Sequence, residues 1–282
     1  MLELLNTHTV LTIMCLCVLL GSIVGVMAGL LGIGGGLIIV PIAIFMFQHV
    51  LGVSIEHAMP LAVATSLSTV IFTGFSSAVS HYRLGNLDMD IFRYSAVGIA
   101  IGATLGAQFA TAISGVALKR TFAVLVLLIT LQMLFGRDRP FDADGKVLAK
   151  NTKTYGLLSA IGLGSGSVSA LMGIGGGALI VPSLVWFNIH IRQAIACASA
   201  CGVLIAIFGT LSFMYAGWHN TYLPDYSLGY VYLPATLGIV ISSIMTAPIG
   251  AKLTTKINTV MLKRIFAVFL AMVSLRMMIG IE

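Results

Sequence analysis

Long runs of apolar residues, separated by short polar segments, occupy almost the whole chain. At roughly 20 residues per transmembrane helix, seven runs are each long enough for one span, and three further runs bring the total to about ten. The runs are continuously apolar rather than alternating, so they predict membrane-spanning helices and not the strands of a β-barrel. No Lys or Arg precedes the first run, so we expect it to be retained as a helix rather than removed as a signal peptide. The runs are residues 10–31, 37–52, 59–80, 95–118, 121–136, 154–173, 178–189, 194–217, 228–250 and 262–281.

The composition agrees with a protein whose solvent is lipid. Of the 282 residues, 59% are hydrophobic and 9% are charged, whereas a soluble domain carries roughly 25% charged residues. The mean hydropathy is +1.06. A net charge of +6 could indicate a nucleic-acid partner in a soluble protein, but basic loops beside a membrane explain it better. We therefore expect lipid as a partner and no nucleic acid. No nucleotide-binding motif is visible, and no cofactor is expected.

Two segments far apart in the chain carry nearly the same motif. Residues 30–41 read LLGIGGGLIIVP and residues 171–182 read LMGIGGGALIVP, which agree at nine of twelve positions. Later matches recur in the same order, which predicts an internal duplication. The first repeat covers residues 1–136, a polar linker covers 137–153, and the second repeat covers 154–282. Because each half has five spans, an odd number, the second repeat should be inverted in the membrane.

The predicted fold is therefore an all-α polytopic membrane protein of about ten transmembrane helices, arranged as two inverted five-helix repeats with glycine-interrupted helices. Threading the ten spans places twelve of the fifteen Lys and Arg residues on one face. Since basic residues are retained in cytoplasmic loops, we expect the linker to lie in the cytoplasm and both termini outside. The three exceptions are Lys119, Arg120 and Arg276.

A glycine triplet stands before each of the two short runs, and each short run contains a proline. Successive glycines break helices, and a break at membrane depth leaves backbone N–H groups that only protein or a watered cavity can satisfy. The helix that starts after the break presents a partial positive charge suited to an anion. The alternative is a close helix crossing at which glycine only lets two backbones touch. The triplets are Gly34, Gly35, Gly36 and Gly175, Gly176, Gly177.

The third span carries a row of hydroxyl side chains at helical spacing. These could line a pathway, or they could bond back to their own helix and mediate packing. The counterpart in the second half has fewer hydroxyls, of which we select Ser199. All nine acidic residues lie at chain ends or in predicted loops, which favours an anionic or neutral substrate. The row is Thr65, Thr69, Thr73, Ser76 and Ser80, with Ser66 beside it.

Charged and titratable groups at the ends of the third span have two interpretations each. Arg83 could attract an anion at a pore mouth, although for a single cation an ordinary snorkelling or positive-inside residue is the better explanation. His57 and His81 flank the same span and are expected to be solvated loop residues.

Four features of the sequence belong together: the repeated GIGGG with its Val-Pro, Ala64-Thr65-Ser66, residues 81–88 (HYRLGNLD) and residues 102–107 (GATLGA). Through them nearly the whole chain resembles the TauE/SafE sulfite exporter family of membrane permeases. The resemblance implies a bacterial inner-membrane location and transport of sulfite, sulfonates such as sulfoacetate, or related oxoanions. The second half departs from the pattern, with Cys197-Ala198-Ser199 in place of Ala64-Thr65-Ser66.

The leading hypothesis is a secondary transporter, an exporter of a small sulfur-containing anion working by alternating access, and not an enzyme. The alternative is a membrane-embedded sulfur relay that uses Cys197 and Cys201, which stand one helical turn apart. The residues predicted to contact the substrate are Gly34, Gly35, Gly36, Thr65, Ser66, Arg83, Gly175, Gly176, Gly177 and Ser199.

Overall fold

A computed structural model of the chain describes residues 2–31, 35–135, 152–187, 189–253 and 259–279. Within these ranges the chain forms ten α-helices and one short antiparallel hairpin, in which Leu228 pairs with Val231. The helices are α1 (Leu2–Leu31), α2 (Gly36–His49), α3 (Ile55–Arg83), α4 (Met89–Ala112), α5 (Gly115–Phe135), α6 (Thr152–Met172), α7 (Gly177–Trp186), α8 (Ile191–Gly217), α9 (Leu233–Leu253) and α10 (Thr259–Ile279). The strands are β1 (Ser227–Leu228) and β2 (Val231–Tyr232). Each of the ten predicted runs lies mainly on one helix, although the run at 95–118 extends into α5 and the run at 228–250 begins in the hairpin. The predicted all-α membrane class is confirmed.

Two of the helices are too short to cross a bilayer alone. Helix α7 has 10 residues and α2 has 14, which at 1.5 Å per residue gives about 15 and 21 Å, against a hydrocarbon core of about 30 Å. Seven helices in the described ranges are long and apolar enough to span it, namely α1, α3, α4, α5, α6, α8 and α9. The short helices must therefore begin or end inside the membrane.

Helices α3 and α8 form the centre of the bundle. Their side chains are the most thoroughly buried of the seven long helices, and they run antiparallel, because Ser77 contacts Ser199 while Leu67 contacts Gly209. The other long helices surround this pair and leave apolar side chains on the outside. Leu19 is 68% exposed and Met245 is 73% exposed, as expected for side chains that face lipid rather than water.

Close backbone packing joins α1 to α9 and α4 to α6. A Cβ built on Gly25 of α1 would lie 2.6 Å from the carbonyl oxygen of Ser243, so only glycine fits this crossing. Small residues let transmembrane helices approach in this way, because lipid provides no hydrophobic force to drive association. The contacts advance in step along both helices, which therefore run parallel: Gly21 meets Ile239, Gly25 meets Ser243 and Gly29 meets Ala247.

Some of the sequence predictions fall outside the described residues. Gly34 does so, as does most of the predicted linker, residues 137–151. Helix α6 begins at Thr152, within two residues of the predicted start of the second repeat.

Candidate functional site

The first glycine of the second GIGGG motif ends a helix. Gly173 has a positive φ of 71°, and its N–H donates to the carbonyl of Ala170 while the N–H of Ile174 donates to the carbonyl of Ser169. This pair of bonds is the Schellman arrangement, in which a left-handed glycine closes the last helical turn. The break in the helix thus begins before the triplet, at Gly173.

The middle glycine of each triplet begins the next helix. Gly35 and Gly176 are the N-cap residues of α2 and α7, with φ values of 78° and 77°. Neither helix start receives a hydrogen bond from a capping side chain. Because the first turn of a helix has N–H groups without helical partners, both helices present uncapped donors and the positive end of the helix dipole.

The two breaks meet near the middle of the bundle. Gly36, the first residue of α2, packs directly on the carbonyl of Gly173. A Cβ on Gly173 would lie 2.9 Å from a methyl carbon of Val40 and 3.0 Å from the carbonyl oxygen of Val63. Val63 belongs to the first half of α3, which runs from Ile55 to Arg83. Gly36 and Gly173 are therefore level with the interior of α3 rather than with its ends.

The hydroxyl row of α3 borders these breaks and is bonded within the protein. Ser66 Oγ donates to the carbonyl oxygen of Gly173 at 2.8 Å, and Thr65 Oγ1 accepts from the N–H of Tyr232 at 3.0 Å. Both Thr65 and Ser66 are completely buried. Ser66 therefore touches the break directly, whereas Thr65 fixes the start of α9.

Further along the row, hydroxyls pair with hydroxyls of other helices. Thr73 Oγ1 lies 2.7 Å from Ser243 Oγ on α9, and Ser77 Oγ lies 3.3 Å from Ser199 Oγ on α8. Ser199 already donates to its own helix at the carbonyl of Ile195, so its oxygen accepts from Ser77. Thr73 and Ser77 are buried, so an anion can reach them only if contacts between helices open, whereas Ser76 and Ser80 are partly exposed.

The structure brings most of the predicted site residues together. Gly36 meets Gly173, which accepts from Ser66, and the Gly175 carbonyl group packs against Gly202, three residues after Ser199 on α8. Gly177 is the first residue of α7. Sequence reasoning missed Gly173 and Gly202. The signal for Gly173 was present, because it is the first glycine of the repeated motif.

Arg83 lies apart from this group. It stands 17 positions after Ser66 on α3, which corresponds to about 26 Å along the helix, and its side chain is exposed. There it lines a groove with Lys252, at the far ends of α3 and α9.

Comparison with known proteins supports the family resemblance that the repeated GIGGG motif indicated. The family model described as sulfite exporter TauE/SafE matches residues 17–277. The chain belongs to the TauE/SafE family. A probable membrane transporter protein of Haemophilus influenzae is 37% identical over 268 residues, covering 94% of this chain and 98% of the relative. One from Methanocaldococcus jannaschii is 27% identical, covering 94% and 95%. No solved structure matches the chain. The family and the names of these relatives make the chain a multi-pass membrane transporter.

The family-like segment at residues 81–88 is built as a helix-to-helix connection. Gly85 has a φ of 72°, its N–H donates to the carbonyl of Tyr82, and the N–H of Asn86 donates to that of His81, which closes α3 by a second Schellman arrangement. Asp88 then caps α4, since its Oδ1 accepts from the N–H of Asp90 at 2.9 Å. In this segment Gly85 therefore serves to end α3, and Asp88 serves to begin α4.

The expectation that His81 is a solvated loop residue is wrong. Its side chain is 1% exposed, and Nε2 lies 3.3 Å from the carbonyl oxygen of Gly29 in α1. The Schellman turn extends α3 beyond its apolar run, so a histidine near the end of the helix is buried against α1.

The cysteines of the relay alternative are completely buried in the first half of α8. Cys197 and Cys201 lie on one face of α8, and the Cys197 thiol donates to the backbone carbonyl of Asp88 at 3.6 Å. Among the residues that the structure describes, no three His, Cys, Asp or Glu side chains are placed to hold a metal ion.

Proposed function

We propose that this transporter exports a small sulfur-containing anion, such as sulfite, sulfoacetate or a related organosulfonate, across the bacterial inner membrane by alternating access. The observation that carries the proposal is the pair of helix starts at Gly35 and Gly176. Both have left-handed glycine caps, neither has a capping side chain, and both lie inside the bundle. Paired interruptions at corresponding places in two halves are typical of transporter binding sites.

The electrostatics of this centre favour an anion. Two helix N-termini each contribute about half a positive charge, and hydroxyls can donate to oxyanion oxygens. Intramembrane carboxylates, which cation and proton pathways normally use, do not occupy the middle of the bundle in the described ranges. The acidic residues described there lie at helix starts or in loops: Glu3, Glu56, Asp88, Asp90 and Asp225.

The packing of the helices supports the proposal of two related halves. Helix α1, the first of its half, packs on α9, the fourth of the other half. Helix α6, the first of the second half, packs in the same way on α4, the fourth of the first half. The third helices, α3 and α8, pack on each other, and so do the fifth, α5 and α10. This reciprocity is what two repeats, residues 1–136 and 154–282, would produce around a pseudo-two-fold axis. Rocking of one half against the other would open the bonded hydroxyl row from alternate sides.

The membrane potential alone would drive export. A monoanion leaving a cell that is negative inside gains about 2.3 kcal/mol per 100 mV. The proposal places residues 137–153 in the cytoplasm and both termini outside, so the groove with Arg83 and Lys252 would open towards the cytoplasm.

The test is anion flux in proteoliposomes that contain the purified protein. Sulfite, thiosulfate, sulfoacetate and sulfate are compared at imposed membrane potentials and pH gradients, with protein-free liposomes as the control. The expected result is saturable movement of at least one sulfur anion that responds to the potential. Movement of none of them, or equal movement without protein, would overturn the proposal.

A paired cysteine variant separates transport from the sulfur-relay alternative. Cys197→Ser keeps a donor for the Asp88 carbonyl, and Cys201→Ala avoids placing a hydroxyl at a completely buried position. We expect the double variant to retain flux. Loss of flux in a monodisperse double variant would instead favour the relay.

A further inference from the structure

A groove of about 410 Å³ lies between the C-terminal parts of α3 and α9. Its walls are mostly apolar and include Phe75 and Val79 from α3 and Ile244 and Pro248 from α9. Its end is basic, formed by Arg83 and Lys252. The groove is separate from the glycine breaks, which border the first half of α3.

The sequence explains why α9 leaves room here. Pro248 lies inside α9, and a proline has no N–H to donate to the carbonyl four residues earlier, which also has to move away from the ring. That carbonyl belongs to Ile244, and it accepts a hydrogen bond from Ser76 Oγ of α3 at 3.0 Å. The groove is thus stabilised by a specific contact, because α3 supplies the hydrogen bond that the Ile244 carbonyl cannot receive from Pro248.

The apolar wall of the groove faces outward. Phe75 is 61% exposed and Ile244 is 39% exposed, and both belong to helices that cross the membrane. Ser76 and Ser80 also line the groove, but their hydroxyls already donate to the backbone carbonyls of Ile244 and Ser76. The wall therefore offers little to a water-soluble anion, whereas a hydrocarbon chain fits it. The basic end is what an anionic lipid headgroup requires, because basic pockets between transmembrane helices recognise such headgroups.

We propose that this groove binds a phospholipid with an anionic headgroup. Its phosphate lies between Arg83 and Lys252, and one acyl chain follows Phe75, Val79 and Ile244. In the proposed topology this lipid belongs to the cytoplasmic leaflet. The inference does not depend on which substrate the protein carries, and it assigns Arg83 to lipid rather than to the central site.

The basic end of the groove can be tested by lipid binding. Retention of added phosphatidylglycerol by the purified full-length protein is measured by native mass spectrometry after detergent exchange. The variant is Arg83→Gln with Lys252→Gln. Arg93→Gln with Arg192→Gln is the matched control, because both of those side chains are exposed and neither lines the groove. Each basic residue near a headgroup contributes roughly fivefold in affinity, so we expect about thirtyfold weaker binding in the first pair and no change in the control. Equal binding by both pairs would overturn the proposal.

A second pair of variants tests the apolar wall. Ile244→Trp fills the groove while keeping both charges, and Ile241→Trp is the control on the same helix, being 51% exposed but outside the lining. We expect only Ile244→Trp to lose phosphatidylglycerol, and phosphatidylcholine to bind weakly to every form. If Ile244→Trp binds normally, or if inorganic phosphate displaces the lipid, the groove is a basic entrance for free anions and the lipid assignment is wrong.

Discussion

The hydroxyl of Ser66 donates a 2.8 Å hydrogen bond to the carbonyl oxygen of Gly173, a residue 107 positions later in the chain. This bond joins the hydroxyl row of α3 to the turn at which α6 ends. Because Gly36 packs on the same carbonyl group, one peptide unit of the second half contacts both α2 and α3 of the first half. The position of the two helix starts therefore depends on a contact that no short segment of the chain can make alone.

Replacing Ser66 by alanine should show how much this hydrogen bond contributes to stability. Ser66→Ala leaves the buried carbonyl of Gly173 without its donor, which typically costs about 1 to 3 kcal/mol of the free energy of unfolding. We expect a lower midpoint of thermal unfolding together with reduced anion flux. Ser22→Ala is the control, since Ser22 bonds only to Val18 in its own helix. Equal stability of the two variants would show that the bond contributes little.

Sequence alone predicted the ten helices because each is a continuous apolar run, yet it misplaced several helix ends. The run at residues 59–80 becomes α3 from Ile55 to Arg83, because polar residues such as Glu56 and His81 continue the helix beyond the apolar part. Hydropathy measures the apolar stretch, whereas capping by Gly85 decides where the helix stops.

The centre of the protein could be predicted only in part. The repeated motif pointed to Gly35 and Gly176, and the spacing of hydroxyls pointed to the face of α3. The sequence contained no information on which helices meet, so the bonds from α3 to Ser243 and Gly173 could not be foreseen. Such pairings depend on the mutual arrangement of helices that are far apart in the chain.

The glycine caps can be tested with substitutions that separate backbone strain from loss of binding. Any side chain at Gly176 places a Cβ 2.6 Å from the Cδ1 atom of Ile205, and one at Gly35 meets Val24, so these neighbours must shift in every variant. Valine would add strain from the positive φ, whereas asparagine tolerates this conformation better and still fills the space before the helix start. We expect Gly176→Asn and Gly35→Asn to fold, yet to bind sulfite on the order of ten to a hundredfold more weakly, as for the loss of one charged hydrogen bond.

Gly164→Asn is the matched control for these variants, because no neighbouring atom lies within 4 Å of a Cβ at that position on α6. Binding is measured on purified, monodisperse protein. If Gly176→Asn and Gly35→Asn both bind sulfite as the parent does, the glycines serve packing only, and the site must be sought along the hydroxyl row.

The cap at Asp88 should contribute to stability through its side-chain oxygen. Asp88→Ala removes the acceptor for the N–H groups of Asp90 and Ile91, and loss of an N-cap typically costs about 0.5 to 2 kcal/mol. Asp88→Asn keeps a good cap. We therefore expect the alanine variant alone to unfold at a lower temperature. An equal loss in the asparagine variant would mean that the negative charge, rather than the cap, is what matters.

The proposed orientation in the membrane can be tested at two exposed positions that the structure places at opposite ends of the bundle. Helices α3 and α8 are antiparallel, so Leu84, at the end of α3, and Tyr222, after the end of α8, lie on opposite sides. They are 44% and 79% exposed. In a background with all four native cysteines replaced, we expect a membrane-impermeant maleimide to label Tyr222→Cys in intact cells. Leu84→Cys should be labelled only after permeabilisation, and so should Gly145→Cys in the linker.

Labelling of Leu84→Cys and Tyr222→Cys from one side would contradict the packing of α3 against α8. Opposite sides with the reverse polarity would leave the bundle intact but place residues 137–153 outside the cell, and would reverse the leaflet proposed for the bound lipid.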